Sequence, residues 1–252
     1  MSIDAERATP RELFWLKAGT ASIWLTTALG VLHPYYRSVG HDWLSRLGLP
    51  DWLMWATCAG ELVLAIVILV LPPKWWLMAA QVGGVTVFTL ILAVLEPSLL
   101  AHPFGLLTKN LPFAALVITV WLISREGWTA RASWILRGGT ALIWITEGLF
   151  PKILFQQPME VAVVANSGLV PMSAPVFLML LGFAQVISGV LALVLKGRWL
   201  RWLLMAQVAA LVVLPLLVSV QDPMLWFHPF GPMTKNFPII AGTLGVLHRC
   251  SR

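Results

Sequence analysis

His102-Pro103-Phe104-Gly105-Leu106-Leu107-Thr108-Lys109-Asn110-Leu111-Pro112 recurs as His228-Pro229-Phe230-Gly231-Pro232-Met233-Thr234-Lys235-Asn236-Phe237-Pro238. Eight of the eleven positions are identical, which in a chain dominated by Leu, Val and Ala is no accident of composition. The sequence is a duplication. Each copy stands just before an apolar run, 113–124 or 239–247, too short alone to cross a hydrocarbon core of about 30 Å. The motif must therefore supply the missing depth, either as a loop descending to a half-helix or as a helix continued through a proline kink. It brings a histidine, a lysine and an amide with it.

The rest of the composition agrees with a membrane setting. Of 252 residues, 59% are hydrophobic and 11% charged, and the mean hydropathy is +0.83, whereas soluble domains carry roughly 25% charged residues. The net charge of +6 comes from Lys and Arg residues lying singly between apolar runs, not from a basic cluster, which excludes a nucleic-acid partner. The lipid bilayer is the expected partner. The first apolar run lacks a small-x-small cleavage pattern before His33 and reads as an uncleaved span. Cys58 and Cys250 are too far apart for a Cys-x-x-Cys redox pair.

Apolar runs near the required length of about 20 residues fall at 14–34, 52–71, 75–95, 132–150, 173–195 and 199–220, and the two short runs complete a count of eight. Twelve Lys and Arg residues gather on one side of such a topology and five on the other, which places both termini in the cytoplasm. The copies align throughout: Gly19-Thr20-Ala21 and Trp24 with Gly139-Thr140-Ala141 and Trp144, Gly48-Leu49-Pro50 with Gly168-Leu169-Val170-Pro171, Trp76 and Gln81 with Trp202 and Gln207. The expected fold is an all-α integral membrane protein with eight transmembrane helices. Two parallel four-helix repeats, 1–128 and 129–252, would be related by a pseudo-twofold axis along the membrane normal. Residues 38–50, with Trp43, Leu44 and Leu47 among polar neighbours, suit a short interfacial helix or a plain loop. Trp residues at span ends, such as Trp52, Trp75 and Trp199, suit interfacial anchoring.

Taken as two four-span units, the chain resembles the DoxX-like superfamily of bacterial membrane proteins. The resemblance lies in the Gly-Thr-Ala start of the first span, the polar residue in the second (Glu61, Gln185), the Trp and Gln at the head of the third, and the His-Pro-Phe-Gly…Thr-Lys-Asn…Pro approach to the fourth. It implies a multi-pass protein of the cell (inner) membrane. Since some relatives are described as subunits of quinone-linked oxidoreductases, it also implies a quinone as candidate ligand and an oxidoreductase as candidate partner, with a homo-oligomer a further option. This chain has two units and no soluble catalytic domain.

Two acids lie inside spans. Glu61 is ten residues after Asp51 and Glu147 ten after Arg137, so each sits about 15 Å from its own face, near the midplane. A carboxylate there must face the bundle, either in a binding or proton-linked role or as a contact between helices. Glu61 aligns with Gln185 and Glu147 with Thr27, an asymmetry suited to a cavity with different walls. Gln81 and Gln207 are symmetric and suit helix-to-helix hydrogen bonds. Lys109, Asn110, Lys235 and Asn236 are expected near the depth of the acids, where the lysines would neutralise them or snorkel to the outer surface. His102 and His228 lack ligand-spaced partners and are expected to cap their turns rather than bind metal. Nothing in the sequence is an autonomous catalytic motif. The candidate site is therefore Glu61, Glu147, Lys109, Asn110, Lys235, Asn236, His102, His228 and Gln185, serving a small-molecule (quinone- or lipid-like) binding or accessory subunit. A proton-linked transporter and a structural anchor for an oxidoreductase remain as alternatives.

Overall fold

The computed structural model describes residues 7–250. Among these residues the elements run through one order twice. The first pass is α1 (Pro10–Gly30), α2 (Pro34–Arg46), α3 (Trp52–Val70), α4 (Trp75–Leu95) and α5 (Asn110–Glu126). The second is α6 (Ala130–Gly148), α7 (Pro158–Ser167), α8 (Ala174–Val194), α9 (Gly197–Gln221) and α10 (Asn236–Arg249). A 3₁₀ turn precedes the last helix of each pass, at Pro97–Ala101 and at Pro223–Phe227.

Several boundaries differ from the sequence reading for identifiable reasons. The first helix starts four residues before the apolar run, because Thr9 and Glu12 close a capping box at Pro10. It ends at Gly30, because His33 caps a new helix that begins at Pro34. The stretch that suited an interfacial helix is thus helical, over Pro34–Arg46. Its counterpart α7 was not anticipated. The short fourth helices start at Asn110 and Asn236, so Pro112 and Pro238 fall in their first turns, where a missing N–H leaves no hydrogen bond unmade. The approach to each is a 3₁₀ turn followed by a tight turn, not a kinked helix.

The helices form two layers. The inner one is α1, α5, α6 and α10, in which α5 and α10 each pack against the other three; the outer one sets α3 on α1, α4 on α5, α8 on α6 and α9 on α10. The last helix of each pass lies against the first helix of the other, α5 on α6 and α10 on α1. Glycine permits these crossings. A Cβ on Gly19 would lie 2.3 Å from the Ala241 Cβ, and one on Gly139 would lie 2.2 Å from the Ala115 Cβ. The repeated Gly-Thr-Ala thus marks where the passes meet, by the close-approach packing that membrane helices use. At the other edge, Lys17 Nζ donates to the Leu69 and Leu71 carbonyls at 2.9 and 2.8 Å. Arg137 donates likewise to Ala192 and Leu195. Both satisfy orphan carbonyls at a helix C-terminus and oppose its negative dipole end.

Four helices, α3, α4, α8 and α9, are long and apolar enough to cross a membrane. Their outward faces expose Ile66, Val70, Leu90, Val94, Val194 and Val220. An apolar surface of that extent is a liability in water and the requirement in lipid.

Candidate functional site

His-Pro-Phe-Gly is a β-turn in both copies. The Gly105 N–H donates to His102 O at 3.0 Å and the Gly231 N–H to His228 O at 2.9 Å, with Pro at the second position and Gly at the fourth, the residues such a turn favours. Each histidine Nδ1 accepts the N–H two residues on, from Phe104 at 3.3 Å and from Phe230 at 3.2 Å. Burial pushes both imidazoles well below the usual histidine range, to about 4, and His228 and Lys109 further disfavour a proton on His102. The glycines are required twice over. Gly105 and Gly231 have φ of +65° and +60°, and a Cβ on Gly105 would lie 2.5 Å from Glu147 Oε1.

Each turn delivers its lysine to the opposite copy. Lys109 Nζ donates to Pro232 O at 2.6 Å, and Lys235 Nζ donates to Leu106 O. The two motifs are cross-braced, and both lysines are buried. Beside them, each asparagine binds the third long helix of its own pass. Asn110 Nδ2 donates to Thr89 Oγ1 at 2.7 Å, and Thr89 donates onward to Val85 O at 2.6 Å. In the second pass Pro215 stands where Thr89 does and has no N–H to offer the carbonyl four residues back. Asn236 Nδ2 donates directly to that carbonyl, Leu211 O, at 3.1 Å.

The acids keep one partner per lysine while changing helix. Glu147, on α6, accepts a short hydrogen bond from the Thr108 hydroxyl and lies in the field of Lys152 and, less strongly, of Lys109. Glu61, on α3, lies in the field of Lys235. Among the described residues neither ammonium is within ion-pair distance of either carboxylate; the ion pairs that form are His41–Asp51, Arg46–Asp42, Lys152–Glu160 and His248–Glu12. The lysines instead donate to carbonyls of the opposite turn.

A cavity of about 340 Å³ opens beside this brace in the second pass, between α6, α7, α8 and α9, with Phe104 and Lys109 of the first motif and Met233 and Asn236 of the second in its wall. Its lining is mainly apolar, with Trp144, Glu147, Lys152, Glu160, Gln185 and Asn236 as polar groups. Lys152 sits on a π-helical stretch, Leu149–Leu154, that continues α6, and it holds Glu160 of α7 in a buried pair at 3.0 Å. Four wall residues carry a buried polar atom without a hydrogen-bond partner: Trp144 Nε1, Glu160 Oε2, Gln185 Oε1 and Asn236 Oδ1. Such atoms are rare in folded proteins and cost free energy until something pairs them. The first pass differs at these places. Trp24 Nε1 reaches Gln81 Oε1 at 3.4 Å, whereas Gln207 turns to Ser188 Oγ at 2.8 Å and leaves Trp144 unmatched. Gly48 and Gly168, both of positive φ, fix the register of α2 on α7. In that register Trp43 stands at Val163 and Gly40 at Glu160, while Phe88 on α4 stands at Leu214 on α9. Trp43 and Phe88 pack edge-on against Phe230 at 5.3 and 5.6 Å, filling ground that the cavity occupies in the second pass.

Of the residues singled out from sequence, Lys109, Glu147, Gln185 and Asn236 line this cavity. His102, His228, Lys235 and Asn110 belong to the turns and brace behind it, and Glu61 lies across the brace in the first pass. Sequence reading missed Lys152, Glu160, Trp144 and Thr108. The available signal was asymmetry: Lys152 and Glu160 fall where the aligned first copy has Leu32 and Gly40. Among the described residues no group of three His, Cys, Asp or Glu side chains is placed to hold a metal ion.

An all-helical chain with four membrane-length apolar helices and a buried polar motif between them is a multi-pass membrane protein. The DoxX-like family model matches it twice, over residues 21–118 and 141–244, and the chain belongs to that family. No curated protein and no solved structure matches it.

Proposed function

We propose that this protein is a membrane-embedded binding subunit whose second-pass cavity takes a small, mainly apolar molecule with a polar head, quinone- or lipid-like, in the service of membrane redox metabolism. The observation that carries the reading is the cavity itself. It falls within the usual size range of small-molecule sites, about 300–1,000 Å³, and shares their make-up, apolar walls with a few converging polar groups. The proposed frame is two DoxX-like repeats, 1–128 and 129–252, with eight crossing helices about a pseudo-twofold axis. The inner helices α1, α5, α6 and α10 cross within the shelter of the outer four. Both termini lie in the cytoplasm and the motifs descend from the outer face. With no catalytic group in the wall beyond paired acids and lysines, electron transfer falls to an oxidoreductase partner.

The test is equilibrium binding of a short-chain alkyl benzoquinone to the purified full-length protein, alongside extraction of what the protein retains from its membrane. Saturable binding at one site per chain is expected, and no saturable binding ends the reading. One observation favours a second reading, proton-linked transport: Lys109 and Lys235 each have an acid in their field, Glu147 and Glu61, and Lys152 pairs with Glu160, so several titratable groups lie inside the bundle. Uptake of an apolar solute driven by a pH gradient in proteoliposomes would establish it over simple binding.

A further inference from the structure

A groove of about 700 Å³ runs where α1 and α10 cross, and it shares no residue with the second-pass cavity. Leu16 lies opposite Gly245 and Gly19 opposite Ala241, so the two helices are antiparallel and meet at its floor. Its sides are Trp15, Ala18 and Ser22 of α1 and Phe237, Ile240 and Leu244 of α10. Arg11 and Ser22 are eleven residues apart, as are Phe237 and His248. That is about 16 Å of helix, close to half of a hydrocarbon core about 30 Å thick. The groove is one leaflet deep. Its inner end is apolar but for the Ser22 hydroxyl, which donates to Gly19 O at 2.8 Å. The end beside the chain termini is charged. There Glu12 is engaged on both oxygens, Oε1 meeting His248 Nε2 at 2.8 Å and Oε2 accepting the Thr9 N–H at 2.7 Å. Arg11 is exposed and forms no ion pair among the described residues. Arg249 brings a second positive charge to this mouth, its guanidinium 5.4 Å from the ring of Trp128, which lines the groove.

We infer that this groove holds an anionic phospholipid from the leaflet on the side of the chain termini, one acyl chain lying along α1 and α10 and the phosphate at Arg11 and Arg249. Depth and charge both fit that occupant. An acyl chain spans its own leaflet and ends at the midplane, as the groove does. Arginines at the headgroup level attract a net negative lipid, whereas a zwitterionic one brings an ammonium of its own against them. A second copy of the chain fits less well. Packed here about an axis normal to the membrane, it would set Arg11 beside its own counterpart, and like charges facing each other across an interface are costly.

The test titrates the purified full-length protein with phosphatidylglycerol and with phosphatidylcholine of the same acyl chains, counting bound lipid by native mass spectrometry. The wild type is expected to retain phosphatidylglycerol in preference. Arg11→Gln should weaken phosphatidylglycerol about fivefold, the worth of one arginine near an anionic headgroup, and leave phosphatidylcholine unchanged. Arg131→Gln removes the same charge at the aligned position on α6, outside the groove, and should bind as the wild type does. Ala18→Trp, which fills the groove, should lose the bound phosphatidylglycerol while melting as the wild type does. Equal retention of the two lipids, or an equal loss in Arg11→Gln and Arg131→Gln, overturns the inference. A wild-type dimer that Ala18→Trp splits also overturns it, since the occupant is then a second copy.

Discussion

Lys109 and Lys235 each bury an ammonium against a carbonyl of the other motif, with one carboxylate, Glu147 or Glu61, close enough to balance its charge. Removing one member of a buried charge set leaves the other less well compensated and costs stability. Lys109→Met should therefore lower the melting temperature in detergent markedly, and Glu147→Gln added to it should recover part of the loss, whereas Glu61→Gln should not. Lys235→Met should show the opposite preference. Additive double mutants in every combination would mean that the charges do not interact. The histidines make a separate prediction. Their folded pKa of about 4 lies below the ordinary value near 6.5. The unfolded chain therefore takes up protons first as pH falls, and stability should drop between about pH 6.5 and 4. A thermal-melt series across that window should flatten in His102→Gln/His228→Gln. At this scale the sequence disclosed which residues matter, because the motif repeats. It did not disclose that each lysine serves the opposite copy, because that depends on how the copies face each other, which no spacing along one copy encodes.

Helix crossings and breaks carry the second level of the account. Gly19→Ala should cost about 1–3 kcal/mol, since its Cβ would overlap the Ala241 Cβ at 2.3 Å. Ala241→Gly in the same chain should return most of that, and a melt showing no recovery would mean that α1 and α10 do not meet there. A cycle on α9 tests the proline. Asn236→Leu should cost about 1 kcal/mol or more by stranding the Leu211 carbonyl, and less in a Pro215→Ala background, where residue 215 regains an N–H for it. Apolar runs located most of the long helices within a few residues. They could not locate α7, Lys152 or Glu160, because α7 is only ten residues long and too short to read as a span; its local signals were Pro158 at the start, Glu160 in the first turn and Gly168 at the C-cap.

For the whole molecule, the orientation can be read with an impermeant thiol reagent in a Cys58→Ala/Cys250→Ala background. Ser38→Cys and Ser98→Cys, both exposed, should be labelled in intact cells, and the exposed Glu126→Cys only after permeabilisation; the reverse pattern would invert the topology. Duplication, the all-helical fold and the family were legible from the repeated motif and the apolar runs. The division of labour between the repeats was only hinted at, by Glu61 against Gln185 and Glu147 against Thr27. The structure adds that bulky rings fill the first repeat where the second keeps its cavity. That difference can be transplanted. Val163→Trp with Leu214→Phe puts the first repeat's side chains into the second, and the decisive measurement is native mass spectrometry of the double variant beside the wild type. One small apolar ligand per chain on the wild type, and none on a variant that melts as the wild type does, is the predicted result. A variant that still carries its ligand would contradict the claim that this cavity is the binding site.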